Sequence, residues 1–135
     1  MKLNIKNETG KLKSVVLGQP KSMGPIPTLE ESYDAKSYHS IEHNIYPKEE
    51  DIISEVSAFE AVLKKYDVEV LRPAIIKDYN QVFARDVAFV IEDKMIISNV
   101  IKDREDEQEA YRKIFEKVEW RKIINLPETA HIEGG

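Results

Sequence analysis

A helical pattern of apolar residues lies between two short apolar runs, and this order limits the folds that the chain can adopt. The helical pattern follows Pro47 and three acidic residues, and its members recur at intervals of 4, 3 and 4 residues, as on one face of an α-helix. The runs at 12–18 and 68–71 have the length and composition of buried strands. Strand, helix and strand in this order predict a crossover between parallel neighbours. The members of the helical pattern are Ile52, Val56, Phe59 and Leu63.

Similar elements follow further along the chain. Residues 87–91 and 95–98 are apolar and flank a polar turn, which predicts a β-hairpin. Residues 105–117 have apolar side chains at helical spacing and predict a second helix, and residues 120–126 predict a further strand. We therefore predict an α/β protein whose modules lie side by side.

The segment between the first strand and the first helix, residues 19–47, is the least regular. It carries four of the six prolines and three of the six tyrosines, without helical or strand periodicity. An irregular segment of roughly thirty residues is uncommon inside a domain unless it is a lid or a substrate loop, and we predict that role. His39 and His43 have the spacing of two metal ligands on a helix, but without an apolar stripe we favour a solvated or substrate-facing loop and predict no metal site.

The charge and cysteine counts exclude several classes of function. With 20 Lys and Arg against 25 Asp and Glu, the net charge is −5, so no surplus of basic residues is available to bind a nucleic acid or an anionic membrane. No apolar run approaches the roughly 20 residues of a membrane span, and we expect a cytoplasmic protein. The chain has no cysteine, which excludes disulfides, thiolate zinc sites and a cysteine nucleophile within these residues.

Two segments carry carboxylates of chemical interest. Residues 80–86 read Asn-Gln-Val-Phe-Ala-Arg-Asp and end where a loop meets the predicted strand, and residues 131–135 read His-Ile-Glu-Gly-Gly. An adjacent pair such as Arg85 and Asp86 is more often solvated than functional when taken alone. Two carboxylates that face one planar guanidinium can, however, accept several of its N–H donors and offset its desolvation. Asp86 and Glu133 are the candidates for such a pair.

Three motifs occur in order: N-x-x-F-x-R-D at 80–86, R-x-x-E-x-x-A-Y-R at 104–112, and H-I-E-G-G at 131–135. In these motifs the sequence resembles the guanidine-modifying enzymes, the amidinotransferases and arginine deiminases of the pentein superfamily. The first strand and the Tyr46-Pro47 helix start also fit, so that the resemblance covers nearly the whole chain. It implies a pentein-type α/β propeller, with residues 1–135 as the N-terminal part of a single enzyme domain, namely the opening segment and roughly two of five modules.

The resemblance also implies roles for individual residues. Asp86 and Glu133 would hold the substrate guanidinium, and Phe83 would pack near it. Asn80 and Arg104 would hold the α-carboxylate of an arginine-like substrate. The expected ligand is therefore a small guanidino compound such as arginine.

The residues alone leave other interpretations open. Phe83 is equally compatible with a core aromatic. Arg104 is equally compatible with a surface partner of Glu107 or Asp103 on the second helix.

The family's mechanism depends on residues that this chain lacks. In the family a cysteine thiolate attacks the guanidinium carbon to form a covalent amidino intermediate, with a histidine as general acid and base. Both lie in later segments, and His131 belongs to the terminal motif instead. The resemblance thus implies an amidinotransferase or arginine deiminase-like enzyme without metal or organic cofactor, of which this chain carries the binding carboxylates but no nucleophile. We expect the chain alone to be inactive.

Two alternatives remain at this stage. The first is a non-catalytic module that binds guanidino compounds or proteins on the same fold, and the second is a small α/β domain whose motifs match by accident. The double glycine at 134–135 is typical of a turn with more chain to follow, and we expect a fragment. Homo-oligomerisation is left open.

Overall fold

The computed structural model describes residues 1–32, 34–100 and 102–130, without the side chain of Asp103. Ten helices and strands lie within these residues, together with short 3₁₀ turns at Lys102–Arg104 and Trp120–Lys122. The strands are β1 (Ser14–Val16), β2 (Glu69–Leu71), β3 (Ala88–Ile91), β4 (Lys94–Ile97) and β5 (Ile123–Asn125). The helices are α1 (Ala35–Glu42), α2 (Glu49–Lys65), α3 (Ala84–Val87), α4 (Glu105–Ala110) and α5 (Arg112–Phe115).

The first sheet confirms the predicted parallel pair. β1 and β2 are parallel neighbours, with Ser14 opposite Glu69 and Val16 opposite Leu71. The connection between them contains α2, as the strand, helix and strand pattern predicts. The pair brings residues 14–16 beside residues 69–71, and just after β1 the N–H of Gln19 donates to the carbonyl of Gln81 in the 80–86 motif.

Helix α2 forms where the sequence predicts it but is less buried than expected. Acidic side chains fill its first turn, and Lys64 and Lys65 lie in its last turn, which matches the helix dipole at both ends. No residue of α2 is fully buried, and Phe59 is 54% exposed. The sequence predicts that this helix covers one side of a sheet. In the structure the helix contacts strand β2 of the first sheet, but none of its residues is fully buried there.

The second sheet has the strand order β3-β4-β5 within the described residues. β3 and β4 form the predicted hairpin, with Ile91 opposite Lys94 and a turn in which Glu92 has a φ of 51°. β5 runs parallel to β4, with Met95 opposite Ile123. A parallel neighbour needs a long connection, and α4 and α5 lie within the connection that supplies it.

The apolar core lies around α4, α5 and the second sheet. One cluster of buried side chains contains Val87, Ala110, Tyr111 and Ile114. A second contains Leu3, Met95 and Val118, and Phe115 packs against both clusters. The apolar side chains that the sequence predicts at helical spacing in the second helix therefore do face the core, because this segment supplies residues to each cluster.

The predicted second helix is interrupted at Tyr111, so a single helix over 105–117 is wrong. α4 ends at Ala110, and α5 begins again at Arg112. The backbone N–H of Ala74 donates to the carbonyl of Ala110 at 2.9 Å, so that this carbonyl bonds outside the helix. The apolar line continues across the break, because Ala110 and Ile114 are both buried in the same cluster.

Segment 19–47 contains a helix that the sequence analysis did not predict. Helix α1 begins after Asp34, whose carboxylate accepts from the backbone N–H groups of Lys36 and Ser37 at 3.0 and 2.9 Å. His39 therefore lies on a helix and not in a loop, His43 caps the C-terminal end of that helix, and the rings of the two histidines stack at 4.1 Å. Within the described part of the chain, no group of three or more His, Cys, Asp and Glu side chains is placed to hold a metal.

The described residues thus form an α/β structure with two small sheets, and no closed propeller exists among them. The predicted fold class is confirmed at the level of α/β. None of the described helices combines the length and the apolar character that a membrane span requires.

Candidate functional site

The 80–86 motif is held by a buried glutamine. Gln81 is fully buried, its side-chain oxygen accepts from the N–H of Ile76 at 2.8 Å, and its side-chain nitrogen donates to the carbonyl of Ala74 at 3.0 Å. Its own carbonyl accepts from the N–H of Gln19 at 2.8 Å. Because both halves of the side-chain amide are satisfied, Gln81 fixes the loop that carries the motif.

A close backbone contact joins the same loop to the end of the first strand. A Cβ at Gly18 would overlap the carbonyl groups of Gln81 and Val82, so only glycine allows this approach. Arg72 donates to the carbonyl of Gly18 and also to the carboxylate of Glu60 on α2. The motif is therefore supported by β1, β2 and α2 together.

Asn80 and Phe83 of the motif are accessible to a ligand, unlike the buried Gln81 between them. Asn80 accepts with its side-chain oxygen from the N–H of Val82 at 3.2 Å, which forms a local turn. Phe83 is 58% exposed, so the interpretation of Phe83 as a core aromatic is wrong. Its ring is available to pack against a ligand.

Asp86 lies on a short helix and not at the junction of a loop and a strand, which corrects the sequence-based placement. Helix α3 begins at Ala84 and leads directly into β3, and the residue after Asp86, Val87, is completely buried. The side chain of Asp86 is 23% exposed. Burial of Val87 in the core fixes the backbone from which the Asp86 carboxylate extends.

Arg104 is bound to two carboxylates. Its Nη1 donates to Asp86 Oδ2 at 2.7 Å, while Nε and Nη2 donate to the two carboxylate oxygens of Glu107 at 2.9 and 2.8 Å. The Arg104 side chain is 19% exposed and that of Glu107 is 1% exposed. The predicted pairing with Glu107 is correct, but the pair is mostly buried and not at the surface.

The charges of this cluster shift the proton affinities of its neighbours. Partial burial disfavours a charged Arg104, but hydrogen bonds to Glu107 and Asp86 outweigh it and raise the Arg104 pKa above its ordinary value. Burial, reinforced by the charge of Glu107, raises the pKa of Tyr111. Arg104 is thus permanently charged, and the Tyr111 hydroxyl stays neutral.

The structure brings together some of the predicted site residues. Asp86 and Arg104 are in direct contact, and Asn80 and Phe83 lie on the loop that leads into α3, the helix that carries Asp86. Glu133 and His131 lie outside the described residues. The predicted pairing of Asp86 with Glu133 therefore stays a prediction.

Sequence reasoning did not predict that two polar residues of the candidate site, Gln81 and Glu107, are buried. Glu107 was visible as the fourth position of the R-x-x-E motif, since side chains three residues apart meet on a helix. The burial of Gln81 had no signal in the sequence, because a glutamine in a polar loop is normally exposed.

Comparison with known proteins identifies the fold. No family model matches the sequence, and no curated protein matches it. Among solved structures, SxtG, an amidinotransferase from Microseira wollei in saxitoxin biosynthesis, superposes with a TM-score of 0.68 over 93% of this chain at 20% identity. The inosamine-phosphate amidinotransferase StrB1 from Streptomyces griseus gives 0.61 over 93% at 15% identity. The chain shares its fold with these amidinotransferases.

A third match is to a cysteine-to-alanine mutant of AgrE, solved as a binary complex with L-arginine. It gives a TM-score of 0.66 over 91% of this chain at 17% identity. The chain covers 43% of SxtG and of StrB1 and 17% of AgrE, and so spans less than half the length of each. The resemblance to guanidine-modifying enzymes is confirmed at the level of the fold.

Proposed function

We propose that this chain carries the guanidinium-binding part of an enzyme that modifies arginine or a related guanidino compound, as an amidinotransferase or an arginine deiminase-like hydrolase. The observation that carries the proposal is the 2.7 Å contact between the Asp86 carboxylate and a guanidinium group, that of Arg104. This contact joins two of the motifs that resemble the family, on a fold shared with amidinotransferases. The arginine-bound AgrE structure supports the choice of ligand.

In this proposal Asp86 and Glu133 hold the substrate guanidinium between two carboxylates. Phe83, which is exposed, packs against the planar group, and Asn80 contributes to binding of the α-carboxylate. The family chemistry is attack of a cysteine thiolate on the guanidinium carbon, with loss of the amine and later transfer of the amidino group to water or to an acceptor. No metal or organic cofactor is needed for these steps.

Segment 19–47 keeps its proposed role as a lid or substrate loop. Its first part is hydrogen-bonded beside the motif: the N–H of Tyr79 donates to the carbonyl of Ser22 at 2.7 Å, and the N–H of Asp78 donates to the Ser22 hydroxyl at 2.9 Å. Movement of this segment would therefore alter access to residues 80–86.

The proposed function is tested by arginine binding. Replacement Asp86→Asn keeps the side-chain shape and removes the charge, and we expect the affinity for L-arginine measured by calorimetry to fall at least about tenfold. Asp51→Asn, which removes an exposed carboxylate from the first turn of α2, is the control with the same change in net charge. Equal affinity in the two variants would contradict the proposal.

A second candidate is a binding module without turnover on the same fold. Both candidates predict that this chain alone releases no ammonia from arginine and forms no citrulline. They differ in the coding sequence after Gly135: a continuing frame with a later histidine and cysteine supports the enzyme, and a stop codon supports the binding module.

A further inference from the structure

Two arginines that support the 80–86 motif each have a carboxylate partner. Arg72 donates from Nε and Nη2 to the carboxylate of Glu60 on α2. Arg104 donates from the same two atoms to the two carboxylate oxygens of Glu107 on α4. The side chains of Arg72 and Arg104 are only 20% and 19% exposed. Each of these cations is therefore matched by a neighbouring carboxylate and largely withdrawn from solvent.

The pairing of Arg104 with Glu107 bears on the predicted binding of a substrate carboxylate. The resemblance implies that Arg104 holds the α-carboxylate of an arginine-like substrate. In the structure Glu107 is 1% exposed and accepts from Arg104 with both oxygens, so the two side chains form a formally neutral pair. A further carboxylate at Arg104 would lie close to that of Glu107, and repulsion between like charges is strong in a partly buried site. A free cation is better suited to this role.

Arg85, the arginine of the 80–86 motif itself, is such a cation. It lies on α3, where Ala84 packs against the core and Val87 is completely buried. These two positions form the inner side of α3, so Arg85 and Asp86 lie on its outer side. Arg85 is exposed, and its side chain makes no hydrogen bond or ion pair with any residue that the structure describes. Its charge is therefore available to a ligand.

The motif thus carries a carboxylate and an unpaired guanidinium beside an exposed aromatic ring. Arg85 follows Phe83 by two residues and directly precedes Asp86, the residue that binds the substrate guanidinium in the proposed function. L-arginine has a cationic guanidinium at one end and an α-carboxylate at the other, joined by a flexible aliphatic chain. A guanidinium side chain can donate two parallel hydrogen bonds to a carboxylate, which makes arginine the preferred partner of such a group.

We propose that Arg85 is a specificity-determining residue that binds the carboxylate of the substrate. The site then prefers guanidino acids, such as arginine, to guanidino amines that have no carboxylate. This inference deepens the proposed function and rests on it, because it takes the 80–86 motif to be the place where the guanidino compound binds.

The test compares L-arginine with agmatine, which keeps the guanidinium and the amine of arginine but lacks its carboxylate. In Arg85→Gln, we expect the ratio of arginine affinity to agmatine affinity, measured by calorimetry, to fall about tenfold, because the charged partner of the carboxylate is lost. Arg85→Lys keeps the charge but not the planar fork of N–H donors, and it should retain part of the ratio.

Arg121→Gln is the control with the same change in net charge. Arg121 is also exposed, and it lies over the ring of Trp120 in the 3₁₀ turn before β5. This variant should leave the ratio unchanged, which separates a direct contact from a general effect of net charge. Because the Arg85 side chain is exposed and unpaired within the described ranges, Arg85→Gln should unfold at the same urea concentration as the original protein.

The outcomes separate this inference from the proposed function. If the unmodified protein bound neither arginine nor agmatine, both would be overturned. If arginine binding depended on Asp86 but Arg85→Gln had the ratio of the original protein, the role of Arg85 alone would be overturned. Equal affinity of the unmodified protein for the two ligands, or an equal fall of the ratio in Arg121→Gln, would also overturn the role of Arg85.

Discussion

The ring of Tyr111 is in a favourable environment in the core, whereas its hydroxyl group is in an unfavourable environment. The side chain is 2% exposed, and its ring packs against Phe115 with 6.0 Å between centroids. Among the described residues, the hydroxyl has no hydrogen-bond partner. A buried hydroxyl without a partner costs about 1–3 kcal/mol of stability.

Replacement of Tyr111 by Phe is therefore expected to stabilise the protein. We expect the free energy of unfolding in urea to rise by about 1 kcal/mol, because the ring contacts remain and the buried polar atom is removed. Tyr66→Phe removes the hydroxyl of an exposed tyrosine and should have no effect. A loss of stability in Tyr111→Phe would show that the hydroxyl is hydrogen-bonded in the folded protein.

Gly18 gives a second prediction for a single residue. A methyl group at this position would meet backbone carbonyls that cannot move without displacing the 80–86 loop. Gly18→Ala should therefore lower the free energy of unfolding by about 2 kcal/mol or more. In Gly10→Ala the new methyl group would meet only the end of the Asn7 side chain, and this control should remain within about 0.5 kcal/mol of the original protein. Equal free energies of unfolding for Gly18→Ala and Gly10→Ala would contradict the close backbone contact at Gly18.

The sequence predicts a set of candidate site residues but not how they are arranged. Asp86 and Arg104 were both assigned to the substrate, one to its guanidinium and one to its carboxylate, whereas the structure joins them directly. The two residues are 18 positions apart, and sequence spacing predicts contacts only between near neighbours on one helix, such as Arg104 and Glu107. Contacts between elements depend on packing that no local pattern shows.

At the scale of elements, Glu60 joins helix α2 to the end of the strand that follows it, β2. Its carboxylate pairs with Lys64 one turn later on α2 at 2.6 Å, and with Arg72 just after β2. Hydrogen bonds from Lys64 and Arg72 lower the pKa of Glu60 below its ordinary value. The folded protein therefore binds a proton at Glu60 less readily than the unfolded chain does.

This difference gives stability a defined dependence on pH. Because the pKa of Glu60 is lowered on folding, its contribution is fully present above the unfolded pKa and is lost as the pH falls through the folded pKa. Glu60→Gln should be less stable than the original protein at pH 7, and the gap in urea midpoint should narrow as the pH falls from about 5 to about 3. A gap that stays constant over this range would show that the pair contributes no charge-dependent stability.

Elements with a long or strongly patterned sequence were predicted well. α2 and the β3–β4 hairpin formed within a few residues of the predicted bounds, since their apolar spacing and turn residues agree. α1 was missed because its stability comes from the Asp34 cap and not from an apolar stripe. The break at Tyr111 was missed because its cause, the bond from Ala74 to Ala110, comes from a distant segment.

At the scale of the whole molecule, the core lies on the side of α5 and the second sheet and not on the side of α2. Ile114 is 4% exposed, whereas Phe59 is more than half exposed. Ile114→Ala should lower the free energy of unfolding by about 2–5 kcal/mol through lost burial and the cavity that remains. Phe59→Ala removes a larger side chain but should cost less than about 1 kcal/mol. If denaturant unfolding showed a larger loss of stability for Phe59→Ala than for Ile114→Ala, the core would lie at α2.

The parallel pairing of β1 with β2 determines how this molecule reaches its folded state. Arg72 and the Gly18 carbonyl, which close this pair, are separated by 54 residues in the chain. Contacts between distant segments form only after a large loop has closed, and their conformational entropy must be lost before they stabilise the structure. The hairpin β3–β4, by contrast, closes over a short turn. We therefore expect the hairpin and its helices to assemble first, and the 80–86 loop to reach its final position only when the two ends of the crossover meet.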